Sequence, residues 1–300
     1  MKNLTFIHKF QVPEVAYHLI DRMFTLEETE FVSKMDQETF TESDIEKLDL
    51  SDVKQFMRDS YRRGIISIVD VKEGSYKISN FYGRLDIFSI SETDTYKSFP
   101  QQDREALDEW YFETYYNGLG QNLDLPPTED EILPLDEVLS FIDQQDRPVY
   151  LNYCDCRSLR GECGLPTKTC ITYRDGINSF AHRGLSEKID KEKAREIVEK
   201  ADKIGLMHTV NPNGICNCCD DCCYLFRGQK RRNSQGIWPI TSHIIDFDVA
   251  KCIACGKCVK KCHFDVFKKE GNILVDATKC VGCGICVPGC PTKALQLKGR

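Results

Sequence analysis

The chain has 300 residues, of which 41% are hydrophobic and 29% charged, with a formal net charge of −7. That composition places it among soluble globular proteins of two or three domains. No apolar run approaches the roughly 20 residues a bilayer span needs, so a membrane-spanning chain is excluded. The charge is lopsided: residues 1–140 carry 14 basic and 29 acidic side chains, and residues 141–300 carry 26 and 18. The second, basic half holds all 17 cysteines, the first of them Cys154, so two kinds of unit with different tasks are expected.

The first twenty residues carry Lys2, Lys9, Glu14 and two histidines. They lack an apolar stretch followed by a small-residue cleavage site, so no signal peptide is expected. Residues 1–145 read as a small acidic α/β domain. Thr41-Glu-Ser-Asp-Ile-Glu-Lys-Leu has the pattern of a capped short helix. Asp52 to Gly64 predicts a second helix, with Val53, Phe56, Met57 and Tyr61 on one face. Ile65 to Val71 predicts a strand, Lys72 to Ser75 a turn, and Tyr76 to Ile90 a strand-rich return. This order of helix, helix, strand, turn and strand, over about residues 10–90, resembles a winged helix. The resemblance implies DNA binding, but a DNA reader needs Lys and Arg to neutralise phosphates. Arg58, Arg62 and Arg63 lie on the candidate recognition helix, and Asp49, Asp52 and Asp59 surround them. A protein-docking role is therefore expected, and nucleic acid is not the expected partner. Trp110, Tyr111, Phe112, Tyr115 and Tyr116 read as core or as packing between domains, with a partner surface as the alternative. Leu125-Pro126-Pro127 and Pro134 mark a linker.

Residues 146–243 form a cysteine-rich middle domain. Cys154, Cys156, Cys163 and Cys170 are followed by a second island, Cys216, Cys218, Cys219, Cys222 and Cys223. Between them Asp190 is a good N-cap. Ala194, Ile197, Val198, Ala201 and Ile204 keep helical spacing, and Gly205 is placed to stop the helix. Such a helix folds the two islands back on each other. Adjacent Cys-Cys pairs diverge in direction, and not all nine thiols need be ligands. The region is expected to hold at least one further [4Fe–4S] cluster; a closed structural zinc, or redox-active thiols, are the alternatives. For a single cubane, Cys154, Cys156, Cys218 and Cys219 head the set. His182 and His208 read as lone structural histidines. Arg227-Gly-Gln-Lys-Arg-Arg232 is either a docking patch for an acidic partner or a solvated loop.

Residues 244–300 carry the strongest signal. Cys252, Cys255, Cys258 and Cys262 follow C-x2-C-x2-C-x3-C, and the same spacing returns 28 residues later as Cys280, Cys283, Cys286 and Cys290. The flanks repeat as well: Asp248-Val-Ala-Lys251 and Asp276-Ala-Thr-Lys279, which points to an internal duplication. Phe264, Val266, Phe267, Ile273, Val275, Ala294 and Leu295 around Gly271-Asn272 predict small hairpins. Zinc ribbons use two C-x2-C pairs across a long spacer, which this is not. The segment resembles a bacterial-type ferredoxin domain with two [4Fe–4S] clusters. The resemblance implies that three cysteines of each run hold one cluster and the fourth crosses to the other. Cys252, Cys255, Cys258 and Cys290 then form one set, and Cys280, Cys283, Cys286 and Cys262 the second. Pro291 fits the pattern; His263 stands where the first run would have proline.

Residues 150–300 are also similar to poorly characterised multi-cluster ferredoxin-like proteins of anaerobes, a likeness that implies no substrate. The expected fold class is α+β: a winged-helix-like domain, a cysteine-rich domain and a ferredoxin-like two-cluster domain. Thiols kept free for a metal imply a reducing cytoplasm and suggest an anaerobic or microaerobic host. The expected function is low-potential electron transfer to or from a partner oxidoreductase, as a carrier or a subunit. One alternative is a reductase acting at a cluster or flavin in residues 150–240, although no dinucleotide fingerprint or P-loop is present. The other is a redox-sensing winged-helix regulator.

Overall fold

In the computed structural model, residues 4–47, 52–120 and 122–300 are described; Lys2, Leu48 and Asp49 lie outside them. The chain divides into two compact units. The first comprises Met1–Tyr115, Ser158–Gly161 and Asp175–Glu187; the second comprises Tyr116–Arg157, Glu162–Arg174 and Lys188–Arg300. All 17 cysteines therefore fall in the second unit, which takes in both the cysteine-rich and the ferredoxin-like segments. The architecture is mixed α+β. Among the described residues no helix is long and apolar enough to cross a membrane.

In the first unit, the helix Leu26–Lys34 starts from a capping box made by Thr25 and Glu28. The short helix Glu42–Ile45 has its own box from Thr41 and Asp44, and Asp52 caps the helix Val53–Arg62. An antiparallel hairpin comes next, β1 (Ile66–Asp70) with β2 (Ser75–Ile78), and Phe40 bridges to Tyr76 on its edge. This is the order of elements expected from residues 41 to 78.

The expected strand-rich return to Ile90 is replaced by a helix, Phe81–Ser91, capped by the Asn80 side chain at the Gly83 N–H, 3.0 Å. Phe81, Leu85 and Phe88 recur at helical spacing and all are buried, a period that outweighs their β-propensity. Trp110 meets the Phe81 ring edge-on at 5.3 Å and Tyr111 stacks on Tyr82 at 4.1 Å, so this part of the aromatic patch is packing within the unit.

The second unit is built on a seven-stranded sheet of β3 (Glu131–Leu133), β4 (Val149–Asn152), β5 (Cys170–Thr172), β6 (Glu187–Ile189), β7 (Met207–Asn211), β8 (Gly214–Cys218) and β9 (Ile240–Thr241). The spatial order is β6-β4-β5-β8-β7-β3-β9. The pairings β4–β5, β5–β8, β8–β7 and β7–β3 are antiparallel, and β9 joins β3 in parallel. Pro134, read as part of a linker, instead precedes the helix Leu135–Asp143, so residues 131–143 are a strand and helix of this sheet layer. The helix expected between the cysteine islands is Lys191–Lys203, with the Asp190 side chain accepting from Lys193 N–H at 2.7 Å. Both helices cover one face of the sheet. Val138, Ile142, Ala194 and Val198 meet Val149, Ile171, Val210 and Ile215 there in a shared core.

Candidate metal centres

Side chains alternate across a strand. Ile171 in β5 and Ile215 in β8 face the helices, so Cys170, Cys216 and Cys218 face the other side of the sheet. The loop after β4 brings Cys154 to the same side, with its N–H bonded to Thr167 O at 2.7 Å, and the short helix Asp155–Arg160 that follows carries Cys156. Cys223, at the start of the helix Tyr224–Arg232, completes the group. The thiols form a ring of neighbours, each close enough to the next to perturb its ionisation: Cys154 and Cys156, Cys156 and Cys223, Cys223 and Cys218, Cys218 and Cys216, Cys216 and Cys170, and Cys170 and Cys154. The neighbouring Cys170 and Cys218 thiols pull the Cys216 thiol below the usual thiol range. Cys216 is exposed, whereas Cys154, Cys218 and Cys223 are buried.

Cys219 is not in this ring. The adjacent pairs Cys218-Cys219 and Cys222-Cys223 do diverge: one member of each faces the ring and the other turns away. Cys219 and Cys222 join Cys163 and Asp221 in a second group, whose donor atoms all lie within 4.8 Å of one another. The expected set Cys154, Cys156, Cys218 and Cys219 is therefore split between two groups.

Arg157 is the residue that sequence reasoning missed. It is 1% exposed and donates to the carbonyls of Pro166 at 2.5 Å and Asn217 at 2.6 Å. Its guanidinium also lies close enough to feel charge on Cys154, Cys219 and Cys170. A buried cation facing thiols suits groups that are anionic when they hold metal. The signal in the sequence was its place directly after Cys154-Asp-Cys156.

The run Arg227–Arg232 is neither a loop nor a free basic patch. It lies in the helix Tyr224–Arg232, where Arg232 is buried against the carbonyls of Gly120 and Asn122, both at 2.7 Å. Arg231 stacks over Tyr116, and Lys230 pairs with Asp220 at 3.5 Å. His208 is buried, with Nδ1 2.7 Å from Asn217 Oδ1, as a structural histidine would be. His182 belongs to the first unit, its Nδ1 2.7 Å from the Tyr61 hydroxyl.

The C-terminal segment repeats in space as it does in sequence. Here β10 (His243–Phe247) pairs with β13 (Leu295–Gly299), and β11 (Phe267–Glu270) with β12 (Asn272–Val275). Asp248 and Asp276 cap two single-turn helices, Val249–Lys251 and Ala277–Lys279, one before each cysteine run. Left-handed backbone recurs at matching positions: Ala254 and Gly282, Gly256 and Gly284, Asp265 and Lys293. These turns aim N–H groups inward. Ala254 N–H donates to Cys252 Sγ and Gly282 N–H to Cys280 Sγ, both at 3.4 Å. Phe264 N–H reaches Cys262 Sγ at 3.5 Å and Ala294 N–H reaches Cys290 Sγ at 3.2 Å.

Cys252, Cys255, Cys258 and Cys290 line one pocket, closed by Phe247, Ile273 and Leu295. Cys262, Cys280, Cys283 and Cys286 lie close enough to feel one another's charge. Burial pushes the Cys283 thiol up to about 12 and Cys286 further still, so both resist ionisation without a cation. Thiols this clustered, with N–H groups donating to sulfur, match the donor chemistry of iron–sulfur cubanes.

Residues 273–296 match the 4Fe–4S binding domain family. The matched stretch of this 4Fe–4S domain contains the second cysteine run and the hairpin strand before it. Neither the curated proteins nor the solved structures contain a match to the chain.

Proposed function

We propose that the chain is an electron-transfer protein, or an electron-transfer subunit, that serves a partner oxidoreductase through two [4Fe–4S] clusters. The observation that carries this reading is the sorting of eight cysteines into two sets across the internal repeat. Cys252, Cys255 and Cys258 gather with Cys290 of the other run, and Cys280, Cys283 and Cys286 with Cys262. When bound, a cubane takes up and gives back a single electron at a potential set by hydrogen bonds, charge and exposure. The residues supply those settings. N–H groups of Ala254, Gly282, Phe264 and Ala294 stabilise negative charge on sulfur, and Phe247, Ile273 and Leu295 give the first set an apolar lining beside its exposed Cys255.

The six-thiol ring of Cys154, Cys156, Cys170, Cys216, Cys218 and Cys223 supports a further centre that continues the path. Its exposed Cys216 also favours a second reading, in which a substrate meets that centre directly and the chain is a reductase. The first unit is read as winged-helix-like on its helices, hairpin and Phe40 bridge, and as a docking module. Arg63, the C-cap of the candidate recognition helix Val53–Arg62, is tied to Glu28 and Glu92 at 2.7 and 2.8 Å, which removes it from phosphate binding.

The deciding experiment is iron and acid-labile sulfide per chain, with electron paramagnetic resonance of the dithionite-reduced protein, all without oxygen. About 8 iron atoms or more, with reducible cubane signals, support the reading. Iron far below that, or clusters that cannot be reduced, overturn it.

A further inference from the structure

We propose that Cys163, Cys219, Cys222 and Asp221 bind a single zinc ion, separate from every iron–sulfur centre of the chain. Spacing carries the argument. A tetrahedral zinc with Zn–S bonds of about 2.3 Å holds its ligand sulfurs about 3.8 Å apart. A cubane gives each thiolate its own iron and spreads the sulfurs well beyond that. The donor atoms of these four side chains all lie within 4.8 Å of one another. The ferredoxin-type cysteines provide an internal contrast. Among the described residues, the groups that meet this spacing are this one and Cys154-Asp155-Cys156, and neither includes any of the eight.

The donor set is also that of a closed, structural site. Three soft thiolates and a carboxylate complete four-coordination and suit zinc over harder cations. Cys219 and Cys222 are buried with Ala201 and Leu206, and Cys163 and Leu165 pack against them, so the thiol side of the site sits in an apolar seat at the end of the helix Lys191–Lys203, with Asp221 exposed on the other side. Asp221 is oriented by accepting the Cys222 N–H at 2.8 Å. The Arg157 guanidinium at Cys219 offsets the negative charge of three thiolates and a carboxylate around a dication.

The position gives the ion a task. Asp220, between Cys219 and Asp221, holds His263, and His263 directly follows Cys262 of the first ferredoxin-type cysteine run. Fixing the loop 219–222 therefore fixes the anchor for that end of the first cysteine run. The proposal concerns thiols that the electron-transfer reading does not use, so the two stand or fall on different metals.

The test is metal analysis and zinc X-ray absorption on the full chain purified without oxygen, with no metal added. The expected result is about one zinc per chain, with three sulfurs near 2.3 Å and one oxygen near 2.0 Å. The double variant Cys219→Ser/Cys222→Ser should lose that zinc while the iron and the reduced cubane signals stay at the wild-type level. Where this variant fails to fold, Asp221→Asn and the wild-type absorption spectrum decide instead, since the oxygen scatterer must vanish or weaken in the former. Wild-type protein without zinc overturns the proposal. So does a Cys219→Ser/Cys222→Ser variant that loses about four iron atoms and keeps its zinc, because the group would then hold a cubane.

Discussion

His263 Nδ1 lies 2.9 Å from Asp220 Oδ1, and its Nε2 lies 3.0 Å from the Gly205 carbonyl. Both ring nitrogens are thus committed to the segment that carries the second cysteine island. Histidine follows the first cysteine run where proline follows the second, and a proline ring has no polar atom with which to make this tether. Phe264 adds a ring contact to Phe226 at 5.5 Å beside it.

His263→Ala should therefore weaken the second unit and leave metal ligation intact. Losing a half-buried, charge-assisted pair costs about 2 kcal/mol. Denaturant unfolding of the second unit should show that loss, with iron per chain unchanged. A fall in iron with unchanged stability would mean that His263 acts on the cluster and not on the joint.

Arg84 predicts a larger effect in the first unit. Its side chain is fully buried and bonds Glu92 and the Met23 carbonyl, both at 2.7 Å. Glu92 also binds Arg63, which in turn holds Glu28, so four charges share one network. Replacing one member strands the others. Arg84→Met should cost about 3 kcal/mol in urea unfolding of the first unit. A cost below about 1 kcal/mol would show that the network contributes little to stability.

Acid should weaken the same unit through Asp44. Its carboxyl accepts from Lys47 at 2.8 Å and from the Thr41 N–H at 3.0 Å, and these bonds hold it well below the usual carboxylate range. Because the folded pKa is depressed, the stabilisation is present above the unfolded value near 4. It is lost as pH falls through the folded value. The stability gap between wild type and Asp44→Asn should thus be larger at pH 7 than at pH 3. An equal gap at both would assign the effect to capping geometry and not to charge.

Legibility in the sequence tracked the range of the contacts. The two cysteine runs, the 28-residue repeat and the helix from Asp190 to Gly205 could be read because spacing, capping and period are local. The helix Phe81–Ser91 was hidden by β-prone residues whose helical period became visible only as burial of Phe81, Leu85 and Phe88. The partition of the upstream cysteines was half legible. Divergence of Cys218 from Cys219 follows from chain geometry, but which thiols they meet depends on how β5 and β8 pair across more than forty residues. Arg157 escaped because its place after Cys156 ties it only to the first island, whereas its burial and its closeness to Cys219 of the second are long-range contacts.

Gly282 and Gly271 separate two costs that a glycine can hide. Both have positive φ, +71° and +75°. Around Gly271, at the tip of the β11–β12 turn, a Cβ would meet open space, so Gly271→Ala should cost only the left-handed backbone strain, about 1 kcal/mol. At Gly282 the added Cβ would run into the His243 carbonyl on β10, which cannot swing aside as a side chain can. The same residue donates its N–H to Cys280 Sγ at 3.4 Å. Gly282→Ala must therefore push the Cys280 loop off β10, and the protein should retain markedly less iron than wild type after anaerobic desalting. Gly271→Ala should retain the wild-type amount. Equal retention by both variants would mean that the Cys280 loop can shift without losing its metal.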